Sequence, residues 1–116
     1  MTGPSFEARP WGSFTVLDDA TTHTVKSLTV NPGHRLSYQR HQQRAEHWFV
    51  VAGTATVTID AREHTLARGE YIDIPTMAGH RIENRGDADL VFVEVQHGSY
   101  FGEDDIERRS DDYGRA

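Results

Sequence analysis

Short segments closed by turn residues follow one another along almost the whole chain, and that rhythm decides what it can fold into. Thr54–Ile59 alternates apolar and polar side chains cleanly, and Asp60–Arg62 turns it. Phe14–Leu17, Val25–Val30, Leu36–His41, Glu46–Val51, His64–Leu66, Tyr71–Pro75 and His80–Glu83 also read as strands. Such alternation places successive side chains on opposite faces of a strand. Between these segments lie Asn31-Pro32-Gly33-His34, Gln42–Arg44, Gly53, Ala67–Glu70, Thr76–Gly79 and Asn84–Asp89, which carry turn chemistry. Leu90–Val95 is almost wholly apolar and predicts a buried central strand. Nothing before residue 100 has sustained helical periodicity. The acidic tail SYFGEDDIERRSDDYGRA predicts a short helix near Glu103–Arg109. Residues 1–9 read as a loose, flexible leader and residues 10–116 as one domain. Strands this short and this regularly spaced predict an all-β antiparallel sandwich or barrel.

Composition narrows the function classes. The 116 residues suffice for one hydrophobic core, not two. A net charge of −6 argues against nucleic acid as a partner. No apolar run approaches the roughly 20 residues that span a bilayer. The start, MTGPSFEARPWGS, lacks signal-peptide shape, so the expected location is cytoplasmic. With no cysteine, any metal site must use His, carboxylate or amide donors.

Such donors are concentrated in LSYQRHQQRAEHWFVVAG, residues 36–53. Gln39 and His41 are two apart, so they share a strand face. Glu46 lies beyond a short turn, and an antiparallel return can set it beside His41. His80 opens a later strand, just after Gly79. Two imidazoles, an amide and a carboxylate can enclose a divalent cation, and Zn, Fe, Mn, Co and Ni all suit such a set. The structural alternatives are core histidines bonded to backbone carbonyls, a Gln39 amide bonded within the sheet, and an ion-paired Glu46. Trp48 reads as core or pocket wall, and Trp11 as packing on the barrel.

The spacing of Gly33, Gln39, His41, Glu46 and Gly53, and of Gly69, Pro75, His80 and Asn84, resembles the two cupin motifs. Gln39 stands where most cupins have histidine, and Met77 where the second motif usually has glycine. RPWGSFTVLDD, QRHQQRAEHWFVVAGTATVT and GSYFGEDDIERRSDDYGR narrow the resemblance further. They are similar to the C-terminal cupin domain of type II mannose-6-phosphate isomerases, from about Arg9 to Arg115. In that family Gln-x-His is normal, and histidines often stand where this chain has Gln42 and Gln43. That domain is usually fused to a mannose-1-phosphate guanylyltransferase, which 116 residues cannot contain.

The resemblance implies a single-domain cupin, an antiparallel jelly-roll β-barrel with a short C-terminal tail or helix. It implies metal-dependent interconversion of mannose 6-phosphate and fructose 6-phosphate, with Gln39, His41, Glu46 and His80 as metal ligands. Zn comes first, with Co, Mn, Ni, Fe or Mg as alternatives. The chemistry needs a proton-transfer group, and Glu103, Asp104 and Asp105 are the candidates if the tail folds over the barrel mouth. His47 should face away from Glu46. The phosphate needs a cation, from among Arg44, Arg40, Lys26, Arg81 and Arg108. Arg44 is favoured because it sits in the turn between two ligands, and Lys26 because its strand can point it inward. The partner expected is a small sugar phosphate, with neither nucleic acid nor membrane, and two copies should pair as a homodimer through outer strands. The alternatives are a non-catalytic cupin binding a sugar phosphate or sugar nucleotide, or a cupin enzyme of other chemistry, such as a dioxygenase or another sugar isomerase or epimerase.

Overall fold

The computed structural model describes residues 5–101, 105–110 and 112. Among the described residues, eleven strands form two antiparallel sheets that face each other, and there is no α-helix. The strands are β1 (Ser5–Arg9), β2 (Gly12–Asp19), β3 (His23–Val30), β4 (Tyr38–His41), β5 (Arg44–Ala52), β6 (Ala55–Ile59), β7 (Arg62–Leu66), β8 (Tyr71–Ile74), β9 (His80–Glu83), β10 (Leu90–Gly98) and β11 (Ile106–Ser110). One sheet runs β1-β2-β3-β10-β5-β8 and the other β11-β4-β9-β6-β7. No helix of the described residues is long and apolar enough to cross a membrane.

The alternation read from the sequence sets which face is core. Along β10, Leu90, Phe92, Glu94 and Gln96 are buried, while Val91, Val93 and Val95 turn outward and are only partly covered. The strand is central, between β3 and β5, as its apolar run predicts. Its inward row nevertheless changes character halfway, from apolar to polar. The inward row of β5 does the same, from Val50 and Trp48 to Glu46 and Arg44. Cross-strand register aligns the changes, with Glu94 opposite Trp48 and Gln96 opposite Glu46. The molecule therefore has an apolar end, built around Val30, Val50, Val57, Ile82, Leu90 and Phe92, and a polar end that holds the site.

Three local expectations are corrected. Within the described part of the tail, Ile106–Ser110 is not the helix expected near Glu103–Arg109 but β11, and it pairs with β4 from Ile106↔His41 to Ser110↔Tyr38. The reason is tertiary, because β4 would otherwise offer an unpaired backbone edge. Glu103 and Asp104 lie outside the described residues. Arg44 is not in a turn but opens β5, leaving only Gln42 and Gln43 between β4 and β5. Within the span read as a leader, Ser5–Arg9 form an edge strand paired in register with β2.

The β6–β7 hairpin has a two-residue loop, since Ile59 pairs with Arg62. Asp60 and Ala61 both have positive φ, 46° and 69°, as a type I′ turn requires. Asp60 is suited to that conformation, whereas Ala61 is held in it against its Cβ. Ala61→Gly is expected to stabilise the protein by about 1 kcal/mol, raising the melting temperature by about 4 °C. Thermal denaturation checks this, and an unchanged or lowered midpoint would show that the turn carries no such strain.

Candidate metal centre

His41, Glu46 and His80 converge at the polar end. Each is buried, and one ligand atom from each lies within 4.8 Å of the others. His41 ends β4, Glu46 faces inward on β5, and His80 opens β9. Backbone geometry sets His80: Asp60 Oδ1 accepts from Gly79 N at 2.9 Å, and Asp60 N donates to Gly79 O at 2.9 Å. A Cβ at position 79 would sit 2.6 Å from the Tyr38 ring, so glycine permits the close approach of β4. The His80 Nδ1 lies 3.0 Å from the Ala78 carbonyl. That carbonyl takes the Nδ1 proton and leaves the Nε2 lone pair for a ligand.

Glu46 is the most heavily partnered group. Its Oε2 lies 3.1 Å from His41 Nε2 and accepts from Arg44 Nε at 3.2 Å. Its Oε1 accepts from Trp48 Nε1 at 3.0 Å, and the same indole N–H reaches Glu94 Oε1 at 3.1 Å. Burial alone would push the Glu46 carboxyl up, but hydrogen bonds from His41 and Glu94 and the charges of His80 and Arg44 hold it well below the ordinary 4.5. Glu94 moves the opposite way. Burial, then the charge of Glu46 and the hydrogen bond with it, push Glu94 well above 4.5, so this carboxyl keeps its proton while Glu46 is ionised. Burial holds His80 below 6.5. An ionised carboxylate and a neutral imidazole whose Nε2 carries a lone pair fit a divalent cation, and the buried His41 Nδ1 has no hydrogen-bond partner among the described residues.

Gln39 lies directly opposite His80 across β4 and β9. Its amide nitrogen donates to Ser37 Oγ at 2.6 Å, so its oxygen is the atom it can offer a cation. The site opens into a cavity of about 510 Å³ lined by Gln39, Glu46, His80 and Glu94. Cations also line it: Arg9, Lys26, Arg44, Arg81 and Arg108. Arg44 is buried, and besides Glu46 its guanidinium approaches His41 Nε2 at 3.3 Å and donates to the Phe101 carbonyl at 3.3 Å. Lys26 does face inward, with its ammonium 4.9 Å from the Phe14 ring centroid. Arg108 carries a buried Nε with no acceptor among the described residues. Arg40 instead pairs with Glu107 at 2.6 Å. His47 faces away from the triad, 2.7 Å from Asp73 and stacked on Tyr71.

Two buried residues at the centre, Glu94 and Gln96, are missing from the sequence reading. Gln96 Nε2 donates to Glu94 Oε2 at 2.7 Å. Their signal was present: polar side chains in phase with Leu90 and Phe92 on a central strand must point into the core. Asp105, a candidate proton-transfer group, instead receives backbone N–H groups of Gln42 and Gln43.

Comparison with known proteins places the fold and the family. The family described as "Mannose-6-phosphate isomerase C-terminal" matches residues 5–111. The alginate biosynthesis protein AlgA of Pseudomonas aeruginosa is 51% identical over 108 residues, covering 93% of this chain and 22% of that protein. A mannose-1-phosphate guanylyltransferase of Escherichia coli is 50% identical, over 93% of this chain and 23% of its own. The chain thus spans about a fifth of the length of these curated relatives. Among solved structures, Staphylococcus aureus CapF superposes with a TM-score of 0.82 at 23% identity, covering 95% of this chain and 32% of that one. The cupin domain of Schizosaccharomyces pombe Cnp3 superposes at 0.71 with 13% identity, covering 74% and 64%. These structural likenesses speak for the fold alone. On the family match and the two-sheet architecture together, the chain is a cupin-fold member of the mannose-6-phosphate isomerase C-terminal family.

Proposed function

We propose that this domain interconverts mannose 6-phosphate and fructose 6-phosphate, with a divalent metal held by His41, Glu46, His80 and Gln39. The observation that carries the reading is a buried triad of one ionised carboxylate and two imidazoles beside a cavity rich in cations. In this exchange a proton leaves C2 of the aldose and one is delivered to C1. The aldehyde oxygen gains a proton and the C2 hydroxyl loses one, through a cis-enediol(ate). A bound divalent ion supplies Lewis-acid stabilisation of the developing oxyanion. Glu94 lines the cavity beside the triad, and in this reading it moves protons. Glu103 and Asp104 remain candidates for the same task. Arg108 is the phosphate anchor in this reading, ahead of Arg44, because a buried guanidinium N–H without an acceptor costs about 1–3 kcal/mol that an anion would recover. Lys26 adds positive charge from the opposite sheet.

One observation favours a non-catalytic sugar-phosphate module instead. The Arg44 guanidinium already touches two of the three donor groups, Glu46 and His41. A coupled assay separates the two readings. Metal-stripped protein should be inactive, and Zn, Co or Mn should restore turnover that His41→Ala lacks. Protein that binds metal but never turns over mannose 6-phosphate would establish the module. Arg108→Gln should raise KM about tenfold or more with kcat nearly unchanged. Glu94→Gln, Glu103→Gln and Asp104→Asn then identify the proton carrier as the variant whose kcat collapses.

Acid should act on the metal-free site with a defined sign. The unfolded chain protonates His80 near 6.5, whereas the folded site resists, so stability contributed by His80 is lost as pH falls below about 6.5. Glu46, held ionised, loses its contribution at lower pH still, and Glu94 has the opposite sign. Comparison with His80→Gln isolates the His80 contribution. In urea melts of chelator-treated protein, the stability difference between wild type and variant should change progressively from pH 7 to pH 5. A pH-independent difference would refute the neutral-His80 assignment.

Homodimer formation belongs to the same proposal. Phe49, Val51 and Tyr71 are exposed on the outer face of the six-stranded sheet, beside its β8 edge. Light scattering should give twice the chain mass, and Phe49→Glu with Val51→Lys should return it to one; a monomeric wild type ends this part of the reading.

A further inference from the structure

The two residues joining β4 to β5 separate His41 from the strand that carries Glu46. Both are exposed. The backbone of this connection is fixed from elsewhere in the chain. Asp105 Oδ1 accepts the Gln42 N–H at 3.1 Å, and Oδ2 accepts the Gln43 N–H at 3.0 Å. Ser99 N donates to the Gln43 carbonyl at 3.0 Å. A Cβ on Gly98 would come within 2.3 Å of that same carbonyl, so only glycine at φ +148° lets β10 run this close. On the strand ends, Met77 N donates to the His41 carbonyl at 2.7 Å, and Phe101 O receives the Arg44 guanidinium that also holds Glu46.

We propose that Asp105 is a positioning residue for the metal triad: its carboxylate clamps two consecutive backbone amides of the β4–β5 connection and so fixes the distance between His41 and Glu46. The clamp and a divalent cation at the triad are then thermodynamically linked, each favouring the other. The proposal rests on the metal reading above only for what fills the triad. A carboxylate gripping adjacent N–H groups is a strong, directional contact, since both bonds are charge-assisted. Supports of this kind around metal ligands change affinity by about 10- to 100-fold.

The test uses the full chain, Co²⁺ as the probe ion, and Asp112→Ala as control. Asp112 is a second C-terminal carboxylate, paired with Arg35 at 2.7 Å, and it touches neither the connection nor the triad. Asp105→Ala should weaken Co²⁺ binding by calorimetry by about 10- to 100-fold. Asp105→Asn, which keeps one acceptor, should fall between it and wild type, and Asp112→Ala should bind as wild type does. The Gln42 and Gln43 amides should exchange faster in Asp105→Ala and slow further on Co²⁺ addition in wild type only. Equal Co²⁺ affinity for wild type and Asp105→Ala overturns the proposal, as does an equal loss in Asp112→Ala. If Asp105→Ala does not fold, Asp105→Asn decides by the same criteria. If wild type itself takes up no Co²⁺, the metal reading fails separately. The clamp is then judged by amide exchange alone: accelerated exchange at Gln42 and Gln43 in Asp105→Ala but not Asp112→Ala supports it, and equal rates overturn it.

Discussion

An ionised carboxylate 2% exposed inside a β-sandwich is the constraint around which the rest of this molecule is arranged. Taking Glu46 out of water costs several kcal/mol unless each lone pair finds a donor. The donors come from both sheets and from three strands: His41 from β4, Arg44 and Trp48 from β5, and the Glu94 carboxyl from β10. Removing any one partner would strand the charge, a loss that reaches about 3–5 kcal/mol in buried pairs. The apolar end, where Phe92, Leu90, Val50 and Ile82 are fully buried, offsets this expense.

The same charge sorts its neighbours. Two carboxyls in contact cannot both ionise cheaply in a low-dielectric interior. Glu46 lies beside His41, His80 and Arg44, so it takes the charge, and Glu94 stays protonated. One indole N–H spans the two. A single stretch of β5 therefore supplies the buried carboxylate, the cation beside it and the hydrogen bond that links it to the next strand.

Much of this was legible in the residues. Periodicity located β5, β9 and β10 to within a few positions because each has one covered face and the pattern records it, whereas β2 and β7, with little buried, were marked out by the turns that bound them. Gln39, His41, Glu46 and His80 stood out as polar groups in phase with the core. What escaped was set by tertiary partners. Ile106–Ser110 has a mixed, charged composition that reads as helix or coil, and it becomes a strand because β4 offers an edge. Arg44 looked like a turn cation because nothing local announces a buried ion pair two residues away. Glu94 and Gln96 escaped for a different reason: the outward-facing valines dominate the composition of β10, whereas the inward phase is set by Leu90 and Phe92.

Chain order gives the position of β10 a temporal meaning. It is the tenth of eleven strands, yet it sits between β3 and β5 and closes the six-stranded sheet. Until residue 98 is available, β3 and β5 each keep one edge without a partner. Pairing across that sequence distance is slow, and unpaired edges are where nascent chains associate wrongly. The triad residues, all between positions 41 and 80, are therefore synthesised before the strand that buries them. During synthesis the site therefore cannot be complete until β10 has emerged, and the Asp105 contacts with the β4–β5 connection come later still in the chain.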